Sequence, residues 1–476
     1  MKFKARVYQK LIVRFMMRIR RGNVWASMGS GKTGATLKAI NRLIAFGHLE
    51  GKVLVCAPLT VAGVTWPDEA EKWDFPCVPR VVPIVGGPAE RIAALKEDAR
   101  VFSINYENLP WLIEHLGVKN WPFELVVADE CTRLKSFRTK QGGSRAKALS
   151  KVVFGTRSRY FGLTGTPAPN GYADLWGQQY FVDKGERLGT SFTGFQDRYY
   201  RPVRDTSKSH GMGINYVMRG GADKQIRKRL EDCTITVDAA DYFDVKELRH
   251  VTREVVLPKK ARKAYDDMEC QYFADLQDGE IEALNSAAKS GKLLQLAAGA
   301  VYLTIDGEQS KEWEEVHKAK LDMLESIIEE LSGAPLIVAY HWKHDLARLS
   351  KRFPQGVKLD KKAETQARWN RGEIPLLFAH PSSAGHGLNL QDGGCDIAFF
   401  SEWYDAETHA QIIERIGPIR QAQSGHPRVV SVYHIRAKNT IDVAVALNLS
   451  GKISADKAIR KYMKEKQKKM EVKKAR

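Results

Sequence analysis

The sequence predicts an α/β protein with two lobes, each built on a parallel sheet, and a mostly helical insertion between them. Two sets of short apolar runs, one in each half of the chain, and a middle segment without such runs are the observations behind this prediction. A length of 476 residues also exceeds the usual size of one hydrophobic core. We expect a first lobe over 1–180, an insertion and linker over 181–315, a second lobe over 316–450 and a basic tail over 451–476.

The first set of apolar runs lies within the first 180 residues. Apolar runs that alternate with helical stretches are typical of buried parallel strands, because helices cover both faces of such a sheet. The runs end in polar residues, proline or glycine, which mark the ends of strands. They are KVLVCAP (52–58), RVFSINY (100–106), FELVVADE (123–130) and RYFGLTGTP (159–167).

The second set of apolar runs begins after residue 330 and has the same character. It predicts a second parallel sheet in the last third of the chain. The runs are APLIVAY (334–340), IPLLFAH (374–380), CDIAFFSE (395–402) and RVVSVYHI (428–435).

The middle segment, 181–315, has no such runs and is helical where it is periodic, as in 257–277. Its polar, basic stretch 201–225 is expected to be a loop. The last 26 residues hold 11 Lys and Arg against three Asp and Glu. Such a tail is either a solvated arm or a phosphate-contacting one.

The formal net charge of +19 comes from 75 Lys and Arg against 56 Asp and Glu. It favours polyanionic partners, first nucleic acid and second an anionic membrane surface, although a basic chain kept soluble by its charge is the simpler interpretation. Six cysteines without a C-x-x-C pair indicate neither a zinc site nor a disulfide framework. No run reaches membrane-spanning length, and we expect a cytoplasmic protein with no membrane partner. The start, 1–21, is basic and acid-free like a transit peptide, but part of it carries a motif described below.

A phosphate-binding loop is predicted between a short apolar stretch and a helix. Successive backbone N–H groups in a glycine-containing loop enclose a phosphate, a lysine reaches the β- and γ-oxygens, and a threonine hydroxyl holds Mg²⁺. Ala26 stands where the general pattern has its first glycine. The candidate residues are Met28, Gly29, Ser30, Gly31, Lys32 and Thr33.

Two adjacent carboxylates, Asp129 and Glu130, end the apolar run FELVVADE. The carboxyl end of a strand in a parallel sheet faces the ligand crevice, so both side chains are expected near the phosphates. One carboxylate can bind Mg²⁺ and the other can accept a proton from the attacking water. A surface acidic pair at the start of a loop is the alternative.

Together these motifs resemble the superfamily-two nucleic-acid ATPases, and among them the Swi/Snf-type double-stranded DNA translocases, over residues from about Ala5 to Asp442. The resemblance implies two RecA-like lobes, ATP as substrate and Mg²⁺ as cofactor. It places Gln9 on the adenine with Tyr8 nearby, assigns Mg²⁺ to Thr33 and Asp129, and identifies DECTRLKS (129–136) as the DE-box. The stretch LTGTPAPNGYADLWGQQYF (163–181) is similar to the family's coupling segment, in which Thr164, Gly165 and Thr166 fall in place.

The stretch 382–421 resembles the family's last motifs. It places Gln411 in the coupling machinery, four residues before Arg415. The family then expects a second arginine three residues on, where this chain has Pro418 and, two residues later, Arg420. Either arginine is a candidate for neutralising charge on the γ-phosphoryl group, and Arg420 recovers the missing position if Pro418 ends the helix. The DNA-contacting candidates implied by the resemblance are Lys135, Arg138, Asn170, Ser383 and Asn389.

The function predicted from this resemblance is that of a DNA-dependent ATPase that couples hydrolysis to translocation on double-stranded DNA and remodels DNA or protein–DNA complexes. A strand-separating or branch-remodelling helicase is the first alternative, and an ATP-gated DNA-binding protein without motor activity is the second. Duplex or branched DNA is the expected partner, RNA stays open, and a protein partner for targeting is compatible with the compact length. That length resembles bacterial or viral members of the family, so the expected location is the cytoplasm of a bacterium or of a virus-infected cell.

Overall fold

The computed structural model describes residues 1–139, 143–156, 158–169, 171–205, 213–277, 283–305, 308–360, 362–381, 388–426, 428–450, 458 and 462. Two predicted DNA-contacting residues, Asn170 and Ser383, lie outside this part of the chain, as do part of the loop 201–225 and nearly all of the tail. The chain divides into two compact units, Met1–Tyr242 and Phe243–Arg476.

The first unit alternates strands and helices along most of its length. Its strands are β1 (Arg21–Ala26), β2 (Lys52–Ala57), β3 (Val81–Ile84), β4 (Val101–Asn105), β5 (Phe123–Asp129), β6 (Arg159–Thr164), β7 (Tyr200–Asp205), β8 (Gly213–Met218) and β9 (Thr234–Val237). Its α-helices are α1 (Val7–Arg18), α2 (Lys32–Ala45), α3 (Trp66–Lys72), α4 (Pro88–Lys96), α5 (Leu109–Leu116), α6 (Ser144–Gly155), α7 (Asp174–Asp183), α8 (Phe192–Tyr199) and α9 (Ala222–Leu230).

Seven of these strands form one sheet in the order β3-β4-β2-β5-β6-β1-β9, and every neighbouring pair is parallel. The central strands are buried along their whole length, as in β6, because helices cover both faces. The remaining two strands, β7 and β8, form an antiparallel pair. The carboxyl ends of β1 and β5 therefore lie at the same edge of the sheet, where the predicted phosphate loop and carboxylates follow.

The second unit repeats the architecture, with central strands of four residues each, β13, β15 and β16. Its strands are β10 (Leu248–Val255), β11 (Ala300–Ile305), β12 (Glu308–Glu315), β13 (Leu336–Ala339), β14 (Gly356–Lys358), β15 (Leu376–Ala379), β16 (Asp396–Phe399) and β17 (Val430–Ala437). Its α-helices are α10 (Lys259–Gln277), α11 (Ala283–Ala298), α12 (Ala319–Glu330), α13 (Lys343–Arg352), α14 (Ala363–Asn370), α15 (Ala406–Glu414), α16 (Pro418–Gln423) and α17 (Asp442–Leu449).

The main sheet of the second unit has the order β10-β17-β16-β13-β15-β14 and is again entirely parallel. Alternate residues of its strands enter different cores. Leu336 and Val338 of β13 pack in one buried cluster, while Ile337 and Ala339 pack in another. Both faces of the sheet are thus covered, which explains why its strands read as continuous apolar runs.

The predicted fold class is confirmed, since the described chain contains two parallel-sheet α/β units and each of the eight predicted runs forms a strand. The middle segment differs in detail from the expectation. Helices α8 to α11 lie within 181–315, but the same segment also contains the antiparallel pairs β7–β8 and β11–β12 and supplies β9 to the first sheet and β10 to the second. The prediction of a loop over 201–225 is therefore wrong for the part that forms β7, β8 and the start of α9. The division between the compact units, at 242/243, falls inside it. The fourfold division predicted from the sequence stays a prediction.

Candidate nucleotide site

The predicted phosphate loop connects β1 to α2 in the first unit. Gly29 and Gly31 both have positive φ, 72° and 73°, which a residue with a side chain rarely adopts. A Cβ atom on Gly31 would lie 2.5 Å from the Gln9 side-chain nitrogen, so the loop also needs glycine there for space. Lys32 begins α2, and its ammonium group donates a hydrogen bond to the Ala26 carbonyl oxygen at 3.0 Å.

Helix α1 holds the loop from one side through Gln9. The Gln9 amide donates to the Ser30 carbonyl oxygen at 3.1 Å and accepts from the Arg6 backbone N–H at 3.0 Å. The neighbouring Tyr8 is buried, and burial raises the pKa of its hydroxyl. Its ring lies 5.2 Å from that of Tyr242. Of the two residues predicted on the adenine side, Gln9 therefore contacts the phosphate loop directly, and Tyr8, its neighbour in sequence, is buried.

Asp129 lies at the end of β5 and is fixed by two aromatic side chains. The Trp66 indole N–H donates to Asp129 Oδ2 at 2.9 Å, and the Tyr106 hydroxyl donates to the Asp129 carbonyl oxygen at 2.9 Å. Both aromatic side chains are buried. Trp66, 63 residues away in sequence, thus orients the carboxylate, while Tyr106, 23 residues away, holds the backbone of Asp129.

Glu130 occupies an unusual backbone conformation just after the strand. Its φ is 54°, in the left-handed region that residues other than glycine seldom adopt. Such conformations are costly and cluster at functional sites, where the surrounding structure imposes them. The Thr164 hydroxyl at the end of β6 donates to Glu130 Oε2 at 3.3 Å, and the Thr166 backbone N–H donates to the same hydroxyl at 3.1 Å. The backbone turn directs the Glu130 side chain toward Thr164.

Burial raises the pKa values of both carboxyl groups. For Asp129, the positive charge of Lys32 and the Trp66 hydrogen bond oppose burial without overcoming it. For Glu130, Lys32 again lowers the pKa while the neighbouring charge of Asp129 raises it further. The Lys32 ammonium group thus lowers the pKa of both acids, with a smaller contribution from Arg133 at Glu130, and together they compensate the negative charge at this edge of the sheet only in part.

The predicted coupling segment contacts the loop directly. A Cβ atom on Gly165 would lie 3.0 Å from Met28 Cγ and 3.3 Å from its backbone nitrogen, so the two loops touch at a residue without a side chain. Further along, the Gln178 amide of α7 donates to the Pro167 carbonyl oxygen at 2.8 Å and accepts from the Cys131 thiol at 3.2 Å. Gln178 thereby joins the DE-box to the coupling segment.

Sequence reasoning missed three side chains of this site: Trp66, Tyr106 and Gln178. Trp66 is a buried packing residue whose indole N–H also positions Asp129. No local pattern could reveal these contacts, because each joins segments that are distant in the chain.

The residues present fit a nucleotide phosphate group with a divalent cation. The Ser30 hydroxyl is buried without a hydrogen-bond partner among the described residues, and the loop leaves no room for a side chain at Gly31. The negative charge of Asp129 and Glu130 is only partly compensated. Backbone N–H groups of the loop and Lys32 would hold phosphates, and Thr33 with Asp129 would hold Mg²⁺, whose oxygen ligands are of this type.

The predicted residues of the second unit lie on two short helices separated by a break. Gln411 and Arg415 are buried at the end of α15, and the Gln411 amide donates to Glu407 Oε1 at 3.2 Å. Helix α15 ends at Glu414, and α16 begins at Pro418. The Arg420 guanidinium, on α16, donates to Asn389 Oδ1 at 2.5 Å. The helix therefore ends before Pro418, which starts the next one, and the choice between Arg415 and Arg420 stays a prediction.

The described DNA-contact candidates differ in how far they are already engaged. Lys135 lies 3.8 Å from Asp174, and Asn389 is exposed. The Arg138 guanidinium donates to the carbonyl oxygens of Lys135 and Phe137 and lies 3.5 Å above the ring of Phe192. Burial lowers its pKa. Arg138 thus has a packing role in the first unit, and a role in DNA binding stays a prediction for all three.

A second cluster of titratable groups surrounds Glu402, just after β16. Glu402 accepts from His434 Nδ1 at 2.6 Å and from Arg436 Nε at 2.7 Å, and His409 Nε2 lies 3.4 Å away. His434 Nε2 in turn lies 3.0 Å from His250 Nδ1. Ligand-type atoms of Glu402, His409 and His434 lie within 4.8 Å of one another, a spacing compatible with a metal ion. The guanidinium of Arg436 already compensates the carboxylate and opposes a second cation.

None of the helices in the described part of the chain is both long enough and apolar enough to span a bilayer.

Comparison with known proteins gives matches in sequence and in structure. The family model of the SNF2-related domain matches residues 8–298. Putative protein p41 of Acyrthosiphon pisum secondary endosymbiont phage 1 is 49% identical over 465 residues, which cover 98% of this chain and 99% of the phage protein. The chromatin structure-remodeling complex subunit snf21 of Schizosaccharomyces pombe is 23% identical over 480 residues. That alignment covers 90% of this chain but 36% of the subunit, so the chain spans about a third of that relative's length. Among solved structures, the Sulfolobus solfataricus SWI2/SNF2 ATPase core in complex with dsDNA is 19% identical, covers 94% of this chain and 91% of its own, and gives a TM-score of 0.43.

Proposed function

The chain belongs to the family of proteins that carry an SNF2-related domain, and from this premise we propose that it is an ATP-hydrolysing motor that translocates on double-stranded DNA. The observation that carries the proposal is the incomplete charge compensation at the phosphate loop. Asp129 is buried and Glu130 is partly buried, desolvation raises the pKa of both, and the Lys32 ammonium group is the cation that lowers both pKa values. Such a site favours added positive charge from a divalent cation.

The proposed roles follow from the contacts of each residue. Lys32 and the loop N–H groups bind phosphate oxygens, while Gln9 and Tyr8 lie on the adenine side. Thr33 and Asp129 hold Mg²⁺, which supplies electrostatic stabilisation of the phosphates when it is bound. Glu130 takes a proton from the attacking water, and its raised pKa makes it a stronger base than an exposed glutamate.

Thr164, Gly165 and Thr166 couple the nucleotide site to the rest of the motor in this proposal. Thr164 hydrogen-bonds Glu130, and Gly165 packs against Met28 of the phosphate loop. A change at the phosphates would therefore move the segment 163–181 through direct contacts. Arg415 or Arg420 is proposed to neutralise charge that develops on the transferred phosphoryl group, with Gln411 beside them.

DNA is the proposed polymer partner. The excess of 19 positive charges favours a polyanion, and the phosphate backbone of duplex DNA is bound through such charges without reading sequence. Lys135 and Asn389 are the described candidates whose side chains lie at the surface. Targeting to a particular DNA structure or protein–DNA complex is assigned to a protein partner.

The test is the steady-state ATPase rate without nucleic acid and with duplex DNA, single-stranded DNA, a branched junction and RNA. The Lys32→Ala variant provides the blank. Strong stimulation by duplex supports the translocase, and displacement of a third strand from a triplex then tests movement directly. Preference for single strands or junctions would favour a helicase. No stimulation by any polymer would reject both motors and leave the ATP-gated DNA-binding protein, for which the interruption at Pro418 is the favouring observation.

A further inference from the structure

The first 49 residues of the chain contain no acidic residue. They hold 11 Lys and Arg, and the first carboxylate is Glu50. At the chain's average of 56 acids in 476 residues, a stretch of this length would contain about six. One of these cations, Lys32, belongs to the phosphate loop, and another, the partly buried Arg21, donates hydrogen bonds to backbone carbonyl oxygens. The remaining charge has no role in the proposed nucleotide site.

Four of the remaining cations line one groove between α1 and α2. Lys10 and Arg14 come from α1, and Lys38 and Arg42 come from α2. The groove has a volume of about 440 Å³. Its other lining residues are Phe3, Ala5 and Val13, so no acidic side chain contributes to its wall among the described residues.

These four side chains have no carboxylate partner in the described part of the chain, where Lys38 alone has an aromatic contact, 5.7 Å from the Phe75 ring centroid. Some exposed arginines elsewhere in the same unit are paired, as Arg80 is with Glu97 at 2.8 Å and Arg145 with Glu107 at 2.7 Å. Four like charges around one groove repel one another, so the groove carries a positive potential that an anion would relieve.

The spacing of the four cations favours a polymer of phosphates over a single phosphate. Lys10 and Arg14, like Lys38 and Arg42, are four residues apart and lie on one face of their helix, about 6 Å apart along its axis. Charges recur about every 3.4 Å along one nucleic-acid strand, so each helix spans roughly two phosphates. The lining offers no Asn, Gln, Ser or Thr side chain that would read a base or a particular small molecule.

We propose that this groove binds the phosphate backbone of nucleic acid and is a separate contact from the phosphate loop. Lys38 lies six residues and Arg42 ten residues after Lys32 on α2, which places them about 9 and 15 Å along the helix axis from the loop. Occupation of the groove needs neither nucleotide nor hydrolysis. The inference therefore stands or falls independently of the ATPase.

The test uses the full chain with Lys32→Ala, without nucleotide, and measures duplex affinity over a series of KCl concentrations. The groove variant carries Lys10→Gln, Arg14→Gln, Lys38→Gln and Arg42→Gln, which keep the aliphatic stems. The matched control removes four exposed cations elsewhere in the first unit through Lys96→Gln, Lys119→Gln, Lys151→Gln and Arg198→Gln.

We expect the groove variant to bind duplex at least about tenfold more weakly and to lower the slope of log affinity against log salt by about 3, against less than about 1 for the control. Equal changes in both variants would overturn the proposal, since total charge alone would then explain them. If the fourfold variant fails to fold, two double variants replace it: Lys10→Gln with Arg14→Gln, and Lys38→Gln with Arg42→Gln. Each is expected to give about half the slope change. Double variants that leave the slope unchanged would contradict the proposal.

Inorganic tripolyphosphate distinguishes a small anion from a backbone. We expect it to compete with duplex only as strongly as its ionic strength predicts. Competition by tripolyphosphate at micromolar concentration that the groove variant abolishes would identify a small-anion site and overturn the backbone assignment. If the protein showed no ATPase activity but the groove variant still lowered the salt slope more than the control, the proposed motor would be rejected and the groove proposal would be supported.

Discussion

Each sheet presents buried or partly buried acidic side chains at or just past the end of a central strand, and the two places differ in how the negative charge of those acids is compensated. Asp129 ends β5 in the first unit and Glu130 follows it. Burial raises the pKa of both, because the charge of Lys32 and the local hydrogen bonds oppose burial without overcoming it. Glu402 follows β16 in the second unit. Burial would raise its pKa too, but the hydrogen bonds from His409 and His434 and the charge of Arg436 lower it well below its ordinary value.

The difference separates a site prepared for a ligand from a structural cluster. The negative charge of Asp129 and Glu130 exceeds the positive charge that neighbouring side chains supply at the end of β5. A bound divalent cation would therefore complete the charge compensation there and order the phosphates. Negative charge at β16 is fully met by its own neighbours, which fixes the strands β16 and β17 to each other through Glu402, His434 and Arg436. Burial of an acidic side chain therefore does not by itself identify a ligand site. Whether neighbouring cations and hydrogen-bond donors compensate its negative charge separates a ligand site from a structural cluster.

The largest effect is expected from Lys32→Ala in the first unit. We expect ATP hydrolysis to fall at least about 100-fold, because the ammonium group is the one cation that lowers the pKa values of both acids and the candidate contact for the phosphates. Steady-state ATPase assays measure the loss, and thermal melting checks that the fold persists. Lys119→Ala, at an exposed site, should keep full activity; equal loss in both would refute the assignment.

Glu130→Gln is expected to reduce hydrolysis by about 10²- to 10⁴-fold while ATP binding persists, because the amide keeps the shape and loses the proton acceptor. Single-turnover hydrolysis and binding of a fluorescent ATP analogue separate the two effects. Glu114→Gln, on the exposed side of α5, is the matched control. If the Glu130→Gln protein hydrolysed ATP at the normal rate, Glu130 would not be the base. Glu130 and Glu402 would then no longer differ in having a catalytic and a structural role.

In the second unit, Glu402→Gln is expected to destabilise the fold by about 2–4 kcal/mol, because it leaves the Arg436 guanidinium beside two imidazoles without a counter-charge. Hydrogen exchange of amides in β16 and β17 measures the effect within this unit. Glu254→Gln breaks a pair with Lys438 in which both side chains are exposed, and should change stability by less than about 1 kcal/mol. Similar losses from both variants would contradict the structural role of the cluster.

The two units should also respond to acid in opposite directions. Burial lowers the pKa of His317 to about 4, and burial followed by the neighbouring His380 lowers that of His341 to about 4. An unfolded histidine takes up its proton near pH 6.5, so the stability that each contributes is fully present above about 6.5 and is lost as pH falls toward about 4, at most about 3 kcal/mol each.

Acidification has the reverse effect on the phosphate-loop site. The folded state binds protons at Asp129 and Glu130 more readily than the unfolded chain does, because their pKa values are raised. The stabilisation that these two groups give the folded state therefore grows as pH falls toward their ordinary pKa values. Hydrogen exchange at about pH 7.5 and about pH 5, corrected for intrinsic rates, should show protection lost around β13 and kept around β5. Equal loss of protection around β13 and β5 would contradict the predicted difference in acid response between the two units.

The family assignment and the main strands followed from the sequence, and for a physical reason. Buried parallel strands such as β5 and β13 are continuous apolar runs, and the phosphate loop is a local motif whose glycines are needed by its own backbone, as the positive φ of Gly29 and Gly31 confirms. Short or edge strands escaped prediction. Strand β14 has three residues, and β10 alternates exposed and partly buried positions at the edge of its sheet, so neither produces an apolar run.

Local order along the chain thus determined the two sheets, the phosphate loop and the adjacent carboxylates. Only the tertiary structure decided which distant side chains meet there: Trp66 on Asp129, Thr164 on Glu130, and His434 with Arg436 on Glu402. Charge balance depends on these contacts and on burial, which no spacing in the sequence encodes. For the same reason the acid-free start of the chain predicted a basic segment, whereas the packing of α1 against α2 placed four of its cations around one groove.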